Sequence, residues 1–293
     1  MRILLSGSGG LLGSALMAVA QTAGFSCDPL RRPEMAAGAG IADVLAERMS
    51  GYDLVIHAAA NTNVEQCEEA PDECYRDNFL LTEAIAIAAV KAGVRLIYIS
   101  STGLYGTAET RPYREYDIAV PTTHHHRSKY LAEQIVMSSN VRNLVVRTGW
   151  LFGGSAANPK NFVARRIDEA RAALLGRGYI ESNTEQRGVP CFSEDIARRI
   201  LLLATTGLTG IFNCVNAGNA SRYEYVSKII ELASITIEVL PSSAVSFNRK
   251  AQVSNNEMAE NWKMTSLGLA AMPFWQDSLA SYIHNHLLRI AEN

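Results

Sequence analysis

Gly7-Ser8-Gly9-Gly10-Leu11-Leu12-Gly13 stands between a short apolar run, Arg2 to Ser6, and a helix-forming stretch, Leu11 to Ala23. Gly7, Gly10 and Gly13 follow one another at intervals of three residues. A strand-to-helix turn with this spacing allows a tight bend, close approach of backbone to a pyrophosphate, and close helix–strand contact, because these positions carry no side chain. The helix start then offers free N–H groups and the positive end of its dipole to a phosphate. Gly7, Gly10, Leu11, Leu12 and Gly13 are therefore candidate phosphate-binding residues of a nucleotide cofactor.

Beyond this turn, strand and helix signals alternate. Asp53 to His57 reads as a strand, Asn78 to Ala92 as a helix closed by Gly93, and Arg95 to Ser100 as a strand. Ser128 to Ser138 reads as a helix and Asn143 to Arg147 as a strand. Several strands are apolar throughout, which suits a parallel sheet buried on both faces. The pattern predicts an α/β fold: a Rossmann-type doubly wound parallel sheet with a smaller, mostly C-terminal substrate-binding lobe. Residues 1–152 are expected to form the NAD(P)-binding domain, its sheet completed from about 186–215, with 153–185 and 216–293 forming the lobe. In that second part, Phe162 to Leu175 and Asp195 to Ala204 read as helices, and Gly210 to Val215 as a strand.

Composition excludes several classes. The 293 residues carry a net charge of −2, which gives no reason to expect nucleic acid or an anionic membrane as partner. No stretch of about 18 apolar residues suggests a membrane span. Glycines interrupt the apolar N-terminus at once, so a core strand explains it better than a signal peptide. The five cysteines are odd in number and lack CxxC spacing, which argues against a disulfide framework and a structural zinc site and favours the cytoplasm. His124-His125-His126 lacks the spacing of a metal site, so no metal is expected. A homodimer is the default assembly for a soluble enzyme.

The second strand should carry the group that reads the adenosine ribose. Its region, Phe25 to Arg32, contains Asp28 and the pair Arg31-Arg32. An acid there favours the 2′-hydroxyl of NAD, and arginine the 2′-phosphate of NADP. The arginine pair favours NADPH, with NADH left open. Asp43 is placed to accept from the adenine amino group.

These residues, with those that follow, resemble the extended short-chain dehydrogenase/reductase superfamily, and within it the dTDP-4-dehydrorhamnose reductase family, over nearly the whole chain. Asp53 to Glu65 is similar to the family's strand and loop beside the cofactor, which implies cofactor contacts for Ala58, Ala59 and Ala60; Asn78 continues the match. Tyr98 to Gly106 is similar to the strand that carries the catalytic Ser or Thr, a place that falls on Ser101, with Thr102 beside it. Arg147-Thr148-Gly149-Trp150 resembles the family's Arg-Thr-Ser-Trp signature, which implies that Trp150 touches substrate. The resemblance implies a nucleotide-sugar substrate and reduction of its 4-keto group by NAD(P)H.

The family's proton chemistry uses Tyr-x-x-x-Lys, two side chains on one helix face. Lysine holds the nicotinamide ribose and lowers the tyrosine pKa, and tyrosine passes a proton to the carbonyl oxygen. Lys129 occupies the lysine place. Four residues before it stands His125 instead of tyrosine. Three readings follow: His125 is the acid, another group such as Tyr105 or Tyr130 donates, or catalysis is lost and a dinucleotide-binding regulatory role remains. A nucleotide-sugar epimerase or dehydratase is a further alternative.

Overall fold

Ile3, Leu4 and Leu5 have no polar side to offer water, and all three are fully buried in β1 (Arg2–Ser6). The computed structural model describes residues 1–35, 38, 40–243 and 249–288. After β1 come α1 (Leu11–Thr22), β2 (Ser26–Leu30), α2 (Ile41–Met49) and β3 (Leu54–His57). Three helices follow, α3 (Val64–Glu69), α4 (Pro71–Tyr75) and α5 (Leu81–Ala92), then β4 (Arg95–Ser101), α6 (His124–Ser139) and β5 (Leu144–Thr148).

The second part contains β6 (Trp150–Phe152), α7 (Phe162–Leu174), β7 (Tyr179–Asn183), β8 (Arg187–Gly188), β9 (Pro190–Phe192) and α8 (Ser193–Thr205). It continues with β10 (Gly210–Asn213), β11 (Ala220–Ser221), α9 (Arg222–Leu232), β12 (Glu238–Ser242), α10 (Trp262–Ser266) and α11 (Trp275–Tyr282). Residues 289–293, the expected end of the lobe, lie outside the described residues.

Six parallel strands form the central sheet in the order β10-β5-β4-β3-β1-β2. Strand order reverses between β1 and β3, which opens a crevice at their carboxyl ends. Leu5, Leu16, Ile200 and Phe212 share the core on one face, where α1 packs against α8. Leu4, Leu45, Ile85 and Val136 share the core on the other, beneath α2, α5 and α6. A separate cluster gathers Phe152, Ile167, Tyr225, Trp275 and Tyr282. No helix among the described residues is long and apolar enough to cross a membrane.

Three sequence expectations are corrected. Of the segment 186–215, only Gly210–Asn213 joins the central sheet; β8 pairs with β11, and β9 with β6. The reason lies at Gly149, where a Cβ would stand 2.4 Å from the Val189 carbonyl oxygen, so the chain leaving β5 closes on 189. The helix expected from Ser128 begins at His124, because Thr123 caps it: its side-chain oxygen accepts from the His126 N–H at 3.2 Å. The α-helix expected from Asn78 begins at Leu81, because residues Arg76–Leu80 form one π turn.

Candidate active site

The glycine turn is as tight as its sequence requires. Gly7 has φ +74°, and a Cβ there would lie 2.7 Å from the Ala59 nitrogen. A Cβ on Gly13 would lie 2.0 Å from the Gly7 carbonyl oxygen. Gly10 caps α1 without a side-chain hydrogen bond, so the first N–H groups of the helix face the crevice as donors for an anion. The same packing brings Gly7 against Ala58 and Ala59. Ser6 Oγ lies 2.6 Å from His57 Nδ1 and accepts from the Ala59 N–H at 3.3 Å, which fixes the floor between β1 and β3.

At the outer edge of the sheet, register sets Leu30 beside Ser6, so Arg31 follows immediately next to the glycine turn. A cleft of about 620 Å³ is lined by Asp28, Pro29, Arg31, Pro33, Glu34, Arg48 and Tyr52. Arg31 therefore borders it, while the exposed Arg32 does not. Arg48, which sequence reasoning missed, holds Glu34 at 2.9 Å and donates to the Tyr52 hydroxyl at 2.9 Å. Asp28 accepts from that hydroxyl at 2.9 Å. The Asp43 carboxylate pairs with Lys91 at 2.5 Å on an exposed face.

Ser101 ends β4, and its Oγ accepts from the Gly103 N–H at 3.1 Å. Accepting there leaves its own hydrogen to donate. The Thr102 hydroxyl is buried with no partner among the described residues, a donor group held beside it. Lys129 Nζ donates to the Ile99 carbonyl at 2.7 Å, on the same strand, and lies 4.5 Å from the Tyr98 ring centre. Burial pushes its ammonium down to about 8, with the Glu133 carboxylate opposing the shift. Glu133 in turn forms a buried pair with Arg147 at 2.7 Å.

His125 is buried, with 6% of its surface exposed. Its Nδ1 lies 3.0 Å from the Asn61 carbonyl oxygen. Burial, then the charges of His126 and Lys129, hold its pKa well below that of a free imidazole. Asn78 does not open onto the crevice as a free amide: its Oδ1 accepts from the Asn61 N–H at 2.7 Å, and its Nδ2 donates to the Asn61 carbonyl at 3.1 Å and to Ser128 Oγ at 3.1 Å. It clamps the loop that meets His125.

His126 is not left exposed at the helix start. It is 5% exposed, and a Cβ on Gly103 would strike its Nε2 at 2.3 Å. The ring thus packs against the Ser101–Gly103 turn. Sequence gave no signal for this, because adjacent helix positions point apart and only the tertiary turn shows which one meets Gly103. His124 is half-buried, edge-on to Tyr75. Tyr105 is fully buried with its hydroxyl donating to Asn213 Oδ1 at 2.9 Å, and Tyr130 is half-buried.

Trp150 is a fixed wall. Its Nε1 donates to Glu257, the Arg222 guanidinium lies 3.5 Å from its ring centre, and Gly188 leaves room for its other edge. Burial lowers Arg222 to about 10. Arg222 and Glu257, from distant segments, carried no motif in the sequence.

The model of the RmlD substrate binding domain matches residues 1–288. The chain belongs to this family. A Mycobacterium tuberculosis protein named dTDP-4-dehydrorhamnose reductase is 31% identical over 288 residues, 96% of this chain and 91% of that protein. The Bacillus subtilis spore coat polysaccharide biosynthesis protein SpsK is 26% identical and 96% covered on both sides. The crystal structure of Bacillus anthracis dTDP-4-dehydrorhamnose reductase in complex with NADP superposes with a TM-score of 0.88 at 26% identity, covering 97% of this chain and 98% of that one. Lys129 and, four residues before it, His125 are the residues that the sequence resemblance sets at the two places of a Tyr-x-x-x-Lys pair.

Proposed function

We propose that this chain reduces, with NADPH, the 4-keto group of a dTDP-linked deoxysugar. The observation that carries the reading is the meeting of three carboxyl-terminal strand ends: the glycine turn after β1, Ala58 to Ala60 after β3, and Ser101 on β4 with Lys129 anchored two residues before it. Residues 1–152 with Gly210–Asn213 hold the cofactor in this reading, and 153–185 with the segment from 216 onward hold the sugar. Location in the cytoplasm belongs to the same reading, in keeping with five free cysteines, as does assembly as a homodimer.

NADPH supplies a hydride to the keto carbon. Arg31 takes the 2′-phosphate, and the α1 N-terminus the pyrophosphate. Lys129 donates to the nicotinamide ribose hydroxyls. Ser101 donates to the keto oxygen and orients it, and Trp150 bounds the sugar. His125 stands where the family's proton donor belongs. Since its Nδ1 faces a carbonyl, Nδ1 carries the hydrogen in the neutral ring, and Nε2 becomes a donor only when the ring is protonated.

A second reading of the proton has its own observation. His126 Nδ1 lies 3.0 Å from Thr123 Oγ1, and the Nε2 edge of its ring meets Gly103 beside Ser101, so His126 is the second candidate donor. Steady-state NADPH oxidation with dTDP-4-keto-6-deoxy sugars tests the function, and His125→Gln beside His126→Gln tells the donors apart. Bound cofactor without turnover on any such sugar would favour the regulatory alternative.

A further inference from the structure

Cys67, Cys74 and His125 converge beneath the loop after β3, although they come from α3, α4 and α6. One donor atom from each lies within 4.8 Å of the others, and all three residues are buried. Neither thiol is in a disulfide. The Asn61 carbonyl oxygen lies 3.0 Å from His125 Nδ1 and 4.0 Å from Cys67 Sγ. The Asn78 amide nitrogen is 3.5 Å from both Cys74 Sγ and His125 Nδ1. The Nδ1 edge of the ring therefore faces the sulfurs.

One buried thiol needs no explanation beyond its apolar character. Two thiols and an imidazole edge sharing the same polar neighbours are a soft donor set, suited to zinc and not to magnesium or calcium. Around a tetrahedral zinc ion, ligand atoms stand about 3.4–3.8 Å apart, so donors within 4.8 Å need to contract by about 1 Å. The Asn61 carbonyl oxygen supplies a fourth ligand. Asn61 is half-buried and Thr62 exposed, which leaves an approach from the crevice.

We infer that Cys67, Cys74 and His125 form a site for a thiophilic divalent cation of the zinc class, completed by the Asn61 carbonyl. CxxC spacing does not reveal it, because its ligands are seven and fifty-one residues apart and only the packing of α3 and α4 on α6 unites them. An occupied site takes Nδ1 of His125 away from its neutral hydrogen bond, and so couples the ion to the ring at the active-site floor. The site itself does not depend on the reductase reading.

Cobalt(II) titration of the full chain, reduced with a phosphine and kept free of oxygen, tests it. The expected result is a thiolate-to-cobalt absorption band that saturates at a single equivalent and disappears when Zn²⁺ is added. Loss of a ligand should cost more than the roughly 10–100-fold that a supporting residue does, so Cys67→Ala and Cys74→Ser should weaken binding by more than about 100-fold. His125→Gln should shift the visible bands without removing the thiolate band. Far-UV circular dichroism establishes that each variant is folded, and Cys67→Ala alone suffices if Cys74→Ser is not. A wild-type chain without the band, or a band unchanged in folded Cys67→Ala, overturns the site. No turnover enters the readout, so it fails or stands apart from the proposed reaction.

Discussion

The carbonyl oxygen of Asn61 lies 3.0 Å from Nδ1 of His125, and a carbonyl can only accept, so that ring nitrogen carries a hydrogen. The opposite nitrogen of the neutral ring then has none to give. With the pKa held well below that of a free imidazole, mainly by burial, the neutral ring prevails at neutral pH.

If His125 is the acid, kcat rises as pH falls below 8, by up to about tenfold per unit, because the protonated fraction grows at that rate. His125→Tyr restores a group that donates while neutral and should raise kcat at pH 7.5 by about 10²-fold. Steady-state kinetics of both proteins across pH 6–9 checks this. A flat profile together with a tyrosine variant no faster than wild type removes His125 from proton transfer.

Lys129 sets an alkaline limit. Its ammonium is lost at about 8 in the folded chain, so KM for NADPH should climb above that pH. The stability effect has the opposite sign. The unfolded lysine keeps its proton to about 10.5, so the unfolded chain binds more protons between 8 and 10.5, and this group makes folding more favourable as pH rises there. Replacing Glu133 by Gln leaves Arg147 buried and unpaired, at a cost of about 3–5 kcal/mol. It also removes the charge that supports Lys129, so the rise in KM should begin at lower pH. Thermal unfolding and NADPH titrations of Glu133→Gln measure the two effects separately.

Arg31 borders the cleft beside β2 and Arg32 does not. One charge-assisted contact to a phosphate is worth about 1.5–3 kcal/mol. Arg31→Ala should therefore raise the Kd for NADPH by about 10–100-fold and leave that for NADH nearly unchanged, with Arg32→Ala close to wild type. Equal losses for both cofactors would show that Arg31 does not read the 2′-phosphate.

Gly13→Ala places a methyl 2.0 Å from the Gly7 carbonyl oxygen, backbone that has no side chain to move aside. Overpacking of this kind costs about 1–3 kcal/mol or more. The expected outcome is a lowered Tm together with loss of cofactor binding, seen by thermal unfolding with and without NADPH. Gly9→Ala, whose Cβ meets nothing within 4 Å, is the matched control.

The glycine intervals, the apolar strands and the order of motifs determined the fold on their own, because turn geometry and burial of both sheet faces depend on residue type at short range. Ser101, Lys129 and Trp150 could be singled out as candidates for the same reason: each sits in a local signature. What the triplet His124-His125-His126 does was not. Its members are chemically identical neighbours, and only tertiary packing sends one ring to Asn61, one to Gly103 and one to Tyr75. The clamp of Asn78 on Asn61, the pairing of Trp150 with Glu257 and Arg222, and the meeting of Cys67 with Cys74 and His125 were decided there too. Each joins segments far apart in sequence, and no short-range pattern encodes which distant side chains the folded sheet and its helices bring within a few ångströms.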